Sequence, residues 1–409
     1  MNPLMNTFVL AFRNIVRQRR RSLLSLAAVS FGVTALLLAG GFIQWIFWAM
    51  REDTVGSRLG HIQISRLGYQ NAGTADPFNY LLPAQSPELA SIQKIPGVVT
   101  VAPRLGFSGL VSYGESTVSF IGEGVDPERE AFLNRSVIIT QGKNLTPDDH
   151  NGIVMGRGLA ANLGVHVGDK VVLLTNLPSG GVRAVEGHVL GLFSTIVKAY
   201  DDSALRVPLP LARKLMGISG SHIWVTLLKH TEDTEKIMQE LRGKLDKDKF
   251  ELVPWTALAD FYNKTVVLFS HQFGVVRVII GAIIILGISN TMMMNVMERT
   301  GEIGTIMAMG TRRRQLISMF LSEGLLLGIF GAVIGLIIGF GLATLISAIG
   351  IPMPPPPGMD RALIGQIRIT PALALESMLL AVTTTLIASV YPAWKASQLT
   401  IVDALRHNR

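Results

Sequence analysis

Apolar residues in this chain gather into four long runs, separated by one large segment of mixed pattern and two short connections. The first run, 22–50, carries no charge between Arg21 and Arg51. The second, 266–297, is continuous from Val278 and reaches back through Phe273 and Val266. The third, 316–349, holds a single charged residue, Glu323. The fourth, 372–395, has Glu376 near its start. A helix of roughly 20 mostly apolar residues crosses a bilayer, so the pattern predicts four membrane-spanning helices. Ahead of the first run, Leu4, Phe8, Phe12 and Ile15 recur at helical spacing, with Arg13, Arg17 and Arg20 on a neighbouring face. Residues 1–21 therefore read as an amphipathic helix in the headgroup layer or as a plain extension of span one.

The segment 51–265 shows short alternating stretches punctuated by Gly and Pro, mixed with helical periodicity. Strands are expected at 61–64, 98–101, 109–113, 117–121, 152–155, 170–174, 182–192, 222–228 and 250–253. Helices are expected at 87–94 with Ser86 as N-cap, at 158–163, 209–216 and 231–245, and from Trp255 into span two. Residues 66–85 read as loop. The fold class is thus a four-helix membrane protein with a large α+β domain between helices 1 and 2. The loop 350–371 carries a proline run at 352–357, read as a stiff polyproline cap over the helix ends. Residues 298–315 form the other connection, and 396–409 a tail.

Composition supports a membrane protein. Only 16% of residues are charged, against roughly 25% in soluble domains. There is no cysteine, which excludes disulfides, zinc–thiolate sites and thiol nucleophiles. The net charge of +8 is concentrated beside the spans: residues 1–22 carry +5, residues 297–315 carry +2 and residues 395–409 carry +2. That is a topology signal rather than a nucleic-acid surface, and it predicts that both termini and the 298–315 connection are cytoplasmic. Residues 51–265 and 350–371 then lie outside. Span one follows arginines as a secretory leader does. Its apolar core is too long, and no small-x-small site follows residues 45–50, so it is read as a retained span.

Catalytic signatures are missing. No G-x-x-x-x-G-K-[ST], H-E-x-x-H or G-x-S-x-G occurs, so no P-loop, zincin or hydrolase chemistry is expected, and the chain is read as no enzyme. GRGLAA at 156–161 fits a dinucleotide fingerprint by spacing, but without a parallel βαβ context it reads as a turn into a helix. Span three places Gly324, Gly328, Gly331, Gly335 and Gly339 along one face. Such a face packs closely within the bundle or across a dimer. Glu323, an intramembrane carboxylate, is a functional candidate by default. It lies about two turns from Arg314, and it is read first as reaching the interface or pairing with a basic group.

Residues 298–315, ERTGEIGTIMAMGTRRRQ, and 320–328, FLSEGLLLG, resemble the core signature of FtsX-like ABC transporter permeases. YPAWKAS (391–397), DALR (403–406) and AFRNIVR (11–17) resemble the ends of that family's membrane part. The family includes MacB exporters, the LolC/LolE lipoprotein-releasing subunits and FtsX. GHIQI (60–64) followed by Gly68 and Tyr69, and MPPPPG (353–358), look most like the LolC/LolE branch. The resemblance implies a type VII arrangement: two permease chains, as homodimer or related heterodimer, above a cytoplasmic ABC ATPase dimer that binds ATP and Mg. This chain would itself bind no cofactor and no metal. It implies an inner-membrane location, mechanotransmission to the outer domain, lipoprotein or other hydrophobic cargo, and a periplasmic adaptor as a further partner. The helix 298–310 becomes the coupling helix, with Glu298, Arg299 and Glu302 setting register on the ATPase. Ile303, Met307 and Met309 give apolar contact, and Gly304 and Gly310 allow close approach and a helix end. Many relatives have a basic residue where Gly301 and Met307 stand, so this contact is expected to be less charged. An FtsX-like signalling subunit controlling outside hydrolases is the alternative function.

Overall fold

A computed structural model of the protein describes residues 13, 17, 19–73, 76–133, 137–195, 198–354 and 363–400. The chain divides into two compact units. One comprises the chain up to Trp48, Thr265–Pro352 and the chain from Ile364; the other comprises Ala49–Lys264 and Met353–Leu363.

The first unit is built on four helices long and apolar enough to cross a membrane: Arg19–Thr54, Asp260–Glu298, Arg313–Ile349 and Pro371–Ser397. At 1.5 Å per residue, the first three run well past the ~30 Å that hydrocarbon requires. Each begins or ends several residues outside the apolar run that marks it in the sequence. Between the second and third lies a separate short helix, Thr300–Ala308. The bundle core takes Val29, Val33, Leu36 and Leu37 from span one and Ile284, Ile288, Met292 and Val296 from span two. Phe320 of span three and Ala381, Ala388 and Ala393 of span four belong to it too. The amphipathic pattern of Leu4, Phe8, Phe12 and Ile15 lies outside the described residues, as do 355–362 and the DALR motif. Ahead of most of the proline run expected to form a polyproline cap, Ile351–Met353 makes a short strand paired with Leu363–Gly365, and the run from Pro355 on lies outside the described residues.

The second unit holds a mixed ten-stranded sheet: β1 Ile62–Arg66, β2 Val98–Tyr113, β3 Ser116–Val125, β4 Ile138–Gly142, β5 Gly152–Gly156, β6 Lys170–Asn176, β7 Val182–Ser194, β8 Ala204–Pro208, β9 Ile223–Leu228 and β10 Phe250–Pro254. Their order is β10-β1-β9-β2-β3-β8-β5-β7-β4, with β6 pairing β2 and β7. The β3–β8 and β5–β7 pairs are parallel and the others antiparallel. β2 corrects the expectation of two strands. Its first half, through Arg104, pairs β9, and its second half, from Arg104, pairs β3. Pro103 and the glycines do not break it, because the partner changes there. Side chains satisfy the backbone edge that this change leaves open: Val101 N donates to Gln93 Oε1 (2.9 Å), and Arg129 donates to Val101 O (2.8 Å). The two ends of β2 serve two cores. Leu105, Phe107, Phe120, Leu173 and Leu205 fill one under the helices Arg157–Leu163 and Leu209–Met216. Ile62, Ile64, Trp224 and Leu241 fill the other under Pro87–Gln93 and Thr234–Lys244.

Two strands, β4 and β8, have no counterpart in the pattern reading. β8 is buried at every position, and its central Arg206 interrupts the apolar signal that marks a strand. The expected helix 231–245 is a 3₁₀ turn, Thr231–Asp233, followed by Thr234–Lys244. The helix from Trp255 breaks at Ala259 before span two begins. The region read as loop, 66–85, contains the short helices Tyr69–Ala72 and Pro77–Tyr80 and a bridge from Leu82 to Ser221. Ser86 stands at an N-cap but makes no cap hydrogen bond; its hydroxyl bonds to Glu88.

Candidate coupling site at the end of the helix bundle

The expected coupling helix 298–310 is shorter in the structure. Glu298 is the last residue of span two, Arg299 forms the break, and the helix runs Thr300–Ala308. Thr300 Oγ1 donates to Met297 O (2.7 Å), satisfying a carbonyl that the ending helix leaves open. Met309 closes the short helix, and Gly310 turns the chain at φ +93°, a left-handed conformation that suits glycine. Span three then starts at Arg313, where Arg312 N donates to Gln315 Oε1 (3.0 Å).

The structure divides the eight expected contact residues by direction. Ile303 and Gly304 are buried, and Ile303 joins the bundle core with Val296, Leu316 and Phe320. Met307 packs against the same core, half-buried. Met309 is 75% exposed, and Gly310 beside it is exposed too. The acids, expected to face an ATPase, pair within the chain. Glu302 accepts from Arg299 Nε (3.0 Å) and from Arg17, and Glu298 accepts from Arg21. Arg299 first, and then Arg17, hold the Glu302 carboxyl below the usual carboxylate range. Arg17 and Arg21, read in the sequence as a topology signal and, for Arg17, as part of an amphipathic face, are thus a clasp on the connecting helix. Glu298 and Glu302 stay exposed while paired, and beside them Thr305, Ala308, Met309 and the guanidinium-bearing Arg312, Arg313 and Arg314 face outward.

The glycine face of span three packs inside this chain. A Cβ on Gly324 or Gly328 would meet Ser389 or Thr385 of span four. On Gly331, Gly335 or Gly339 it would meet span one, 2.6 Å from Val29 Cβ, 2.7 Å from Ser30 O and 2.7 Å from Leu37 Cδ1. The close approach lets Ser30 Oγ donate to Gly331 O (2.9 Å) and Thr34 Oγ1 to Gly335 O (3.1 Å). Near the far end of the bundle, Arg277 pairs with Glu376 at 2.6 Å and lies 4.5 Å from the Phe273 ring centre. That pair links spans two and four, and Arg277 was missed because it sits just before the charge-free stretch of span two.

Comparison with known proteins places this arrangement. The model for the MacB-like periplasmic core domain matches residues 22–244, more than half of the chain, and that for the FtsX-like permease C-terminal matches 274–401. The chain belongs to the MacB-like, FtsX-type permease family. An uncharacterized ABC transporter permease of Methanocaldococcus jannaschii is 27% identical over 83% of this chain and 84% of its own. The macrolide export ATP-binding/permease protein MacB of Hyphomonas neptunium is 25% identical, covering 97% of this chain. The chain spans about three fifths of that protein's length, 60%. The periplasmic region of MacB from Actinobacillus actinomycetemcomitans covers 52% of this chain at 14% identity, with a TM-score of 0.38.

In this permease the α/β domain has its own buried chemistry. Arg104 and Glu130 pair almost fully buried, Arg104 Nε lying 3.2 Å from Glu130 Oε2. Arg206 Nε lies 3.3 Å from Glu123, which also accepts from Tyr200 (3.3 Å). Burial works against the Arg206 charge, but Glu123 and Tyr200 hold its pKa above the ordinary value. Burial, reinforced by Glu123, pushes the Tyr200 hydroxyl up to about 12. The network ties β2, β3, β8 and the turn Pro127–Glu130 together and offers no open reacting group. GRGLAA is equally internal: a Cβ on Gly156 would meet the Asp201 backbone, and one on Gly158 the Asp202 carboxylate. Among the described residues, no group of His, Asp and Glu could hold a metal ion.

Proposed function

We propose that this permease is the membrane-spanning subunit of an ABC transporter in a bacterial inner membrane, with both termini cytoplasmic. A cytoplasmic ABC ATPase dimer binds ATP and Mg and drives it; this chain contributes neither catalysis nor a cofactor site. The observation that carries the reading is the outward surface of Met309, Arg312, Arg313 and Arg314 beside the short helix Thr300–Ala308. The thioether adapts to an apolar groove, and the guanidiniums meet acidic groups on the partner. Closure of the ATPases displaces the short helix, and the long helices carry that displacement to the α/β domain. A second permease chain, identical or related, meets the apolar surface of span two, where Val278, Ile283 and Leu286 are exposed.

The cargo is an amphiphile taken up at the outer face of the membrane. Lipoprotein is the class suggested by the LolC/LolE-like stretches, and the macrolide and pyoverdine named for relatives are the small-molecule counterparts. A periplasmic adaptor would receive it. Met309→Asp with Arg313→Glu should abolish co-purification with the ATPase and its stimulated hydrolysis. Persistence of both puts the contact elsewhere. Photo-crosslinking from the α/β domain in ATP-cycling cells should trap a lipoprotein or an amphiphilic small molecule. Trapping a cell-wall hydrolase instead would establish the FtsX-like signalling role.

A further inference from the structure

Two charged side chains sit below the surface without an ion pair among the described residues, and they differ in what they face. Glu323 of span three, expected to reach the interface or meet a basic group, is 2% exposed, and its Oε2 has no hydrogen-bond partner among the described residues. Arg213 of the α/β domain is half-buried and lines two open cavities. The first, about 520 Å³, lies between the helices Pro87–Gln93 and Leu209–Met216, with Pro103 of β2 in its lining. The second, about 480 Å³, adjoins it, because Asp126, Leu209 and Arg213 line both. Helical spacing brings the lining residues to one face: Leu89, Ala90 and Gln93 on one helix, Leu209 and Arg213 a turn apart on the other. Lys94, Arg129 and Arg213 line the first cavity against the single carboxylate of Asp126. That carboxylate is already committed. Its Oδ1 accepts from Glu128 N (3.2 Å) and Arg129 N (3.3 Å), and its Oδ2 lies 3.4 Å from Arg129 Nε. Arg129 is further tied to Val101 O (2.8 Å). Arg213 donates Nε to Gly220 O (3.0 Å), which leaves the terminal nitrogens of its guanidinium for a ligand. Burial works against the Arg213 charge, and Asp126 only partly offsets it. Lys94 is exposed at the rim, and the second cavity adds Lys214 with no acid besides Asp126. Cavities of this size hold small organic molecules, and an arginine fork with its ends free matches an oxyanion.

We propose that these adjoining cavities are a binding site for an organic anion with an apolar body. Its carboxylate or phosphate meets Arg213, with Lys94 adding positive charge at the rim, and its apolar part lies along Leu89, Ala90, Pro103 and Leu209. As a binding site it stands on the α/β domain alone. That its ligand is the transported amphiphile, which makes the cargo anionic, rests on the ABC-permease reading.

Two measurements test the site and its role separately. In the first, the full chain in detergent is titrated with 4-phenylbutyrate and with its uncharged counterpart, 4-phenylbutyramide, followed by ligand-observed NMR. The anion should bind about tenfold more tightly than the amide, and Arg213→Gln should remove that advantage. Should Arg213→Gln fail to fold, Ala90→Trp decides: Ala90 is exposed on the cavity wall, and the larger ring should weaken binding about tenfold by filling the space. The phosphate monoester of 4-phenylbutanol should displace 4-phenylbutyrate, and inorganic phosphate at the same concentration should not. Absence of binding, equal binding of anion and amide, undiminished binding in Ala90→Trp, or displacement by inorganic phosphate each overturns the site as described. In the second, 4-phenylbutyrate is added to the reconstituted complex with its ATPase. It should raise ATP hydrolysis, and Ala90→Trp should abolish the rise. A rise that survives Ala90→Trp, or none in the unsubstituted chain, overturns the cargo role. If no ABC ATPase binds at all, the functional reading fails while the titration still decides the site.

Discussion

In the helix bundle, span three meets span one across Gly331, Gly335 and Gly339, and hydroxyls of Ser30 and Thr34 bond directly to its backbone. In the α/β domain, close contact is made by large aliphatic and aromatic side chains such as Leu105, Phe120, Phe193 and Trp224. Its interior also accepts two arginine–glutamate pairs, Arg104–Glu130 tying β2 to the turn Pro127–Glu130 and Arg206–Glu123 tying β8 to β3. The difference follows from solvent. In water, burying apolar area drives the domain together. Within lipid that drive is absent, so helices gain stability from short-range packing and from hydrogen bonds that large side chains would prevent. The bundle is therefore sensitive to added volume, and the domain to uncompensated charge.

The largest effect should come from the domain. Glu130→Ala leaves Arg104 buried without its partner and should lower stability by about 3–5 kcal/mol, measured as thermal unfolding of the full chain in detergent. Next in size is an acid effect at His222. Burial depresses its pKa to about 4, and the ring stacks at 5.8 Å on Tyr69. Gly106 N donates to its Nδ1 (3.2 Å), which keeps the ring neutral with its proton on Nε2. The folded state binds that proton less readily than the unfolded chain, so stability is full above pH ~6.5 and is lost as pH falls toward about 4. The loss should be on the order of 3 kcal/mol, and His222→Phe should remove this part of the acid sensitivity.

Two further outcomes test the bundle side. Gly335→Ala brings a Cβ to 2.7 Å from Ser30 O and should cost about 1–3 kcal/mol. Gly287→Ala, with nothing within 4 Å, should be neutral or stabilising by up to ~1 kcal/mol. Equal effects of the two would undo the contrast drawn above. The smallest effect concerns the clasp. The depressed pKa of Glu302 gives stability that is present above its unfolded pKa and is lost as pH falls through the folded value. Being half-exposed, the clasp contributes no more than ~1 kcal/mol. A spin label at Thr305→Cys should become more mobile on acidification, and Arg17→Ala should give part of that mobility at neutral pH.

The spans were legible because lipid imposes a long, uninterrupted apolar signal, and the connecting helix because polar residues between two such runs stand out. The glycine face was visible as a periodicity, but its partners were not. Spacing says that something comes close, and only the fold says that spans one and four do. The strand β8 was missed because Arg206 in its centre reads as a surface residue until Glu123 appears beside it. The intrachain pairs of Glu298 and Glu302 were not legible for the same reason. Their partners, Arg21 and Arg17, lie 277 and 285 residues earlier in the chain, beyond the reach of any local pattern.

By itself, the sequence determined how many helices can cross the membrane, where the large domain is inserted, and that no P-loop lies within the chain. Those follow from composition and periodicity, which act locally. The tertiary structure decided which charges are used up inside the chain and which remain for a partner. Arg104 and Glu130 illustrate this: as letters they read as two surface charges, and in the fold they pair almost fully buried. Folding removes both from water, and burial makes each depend on the other.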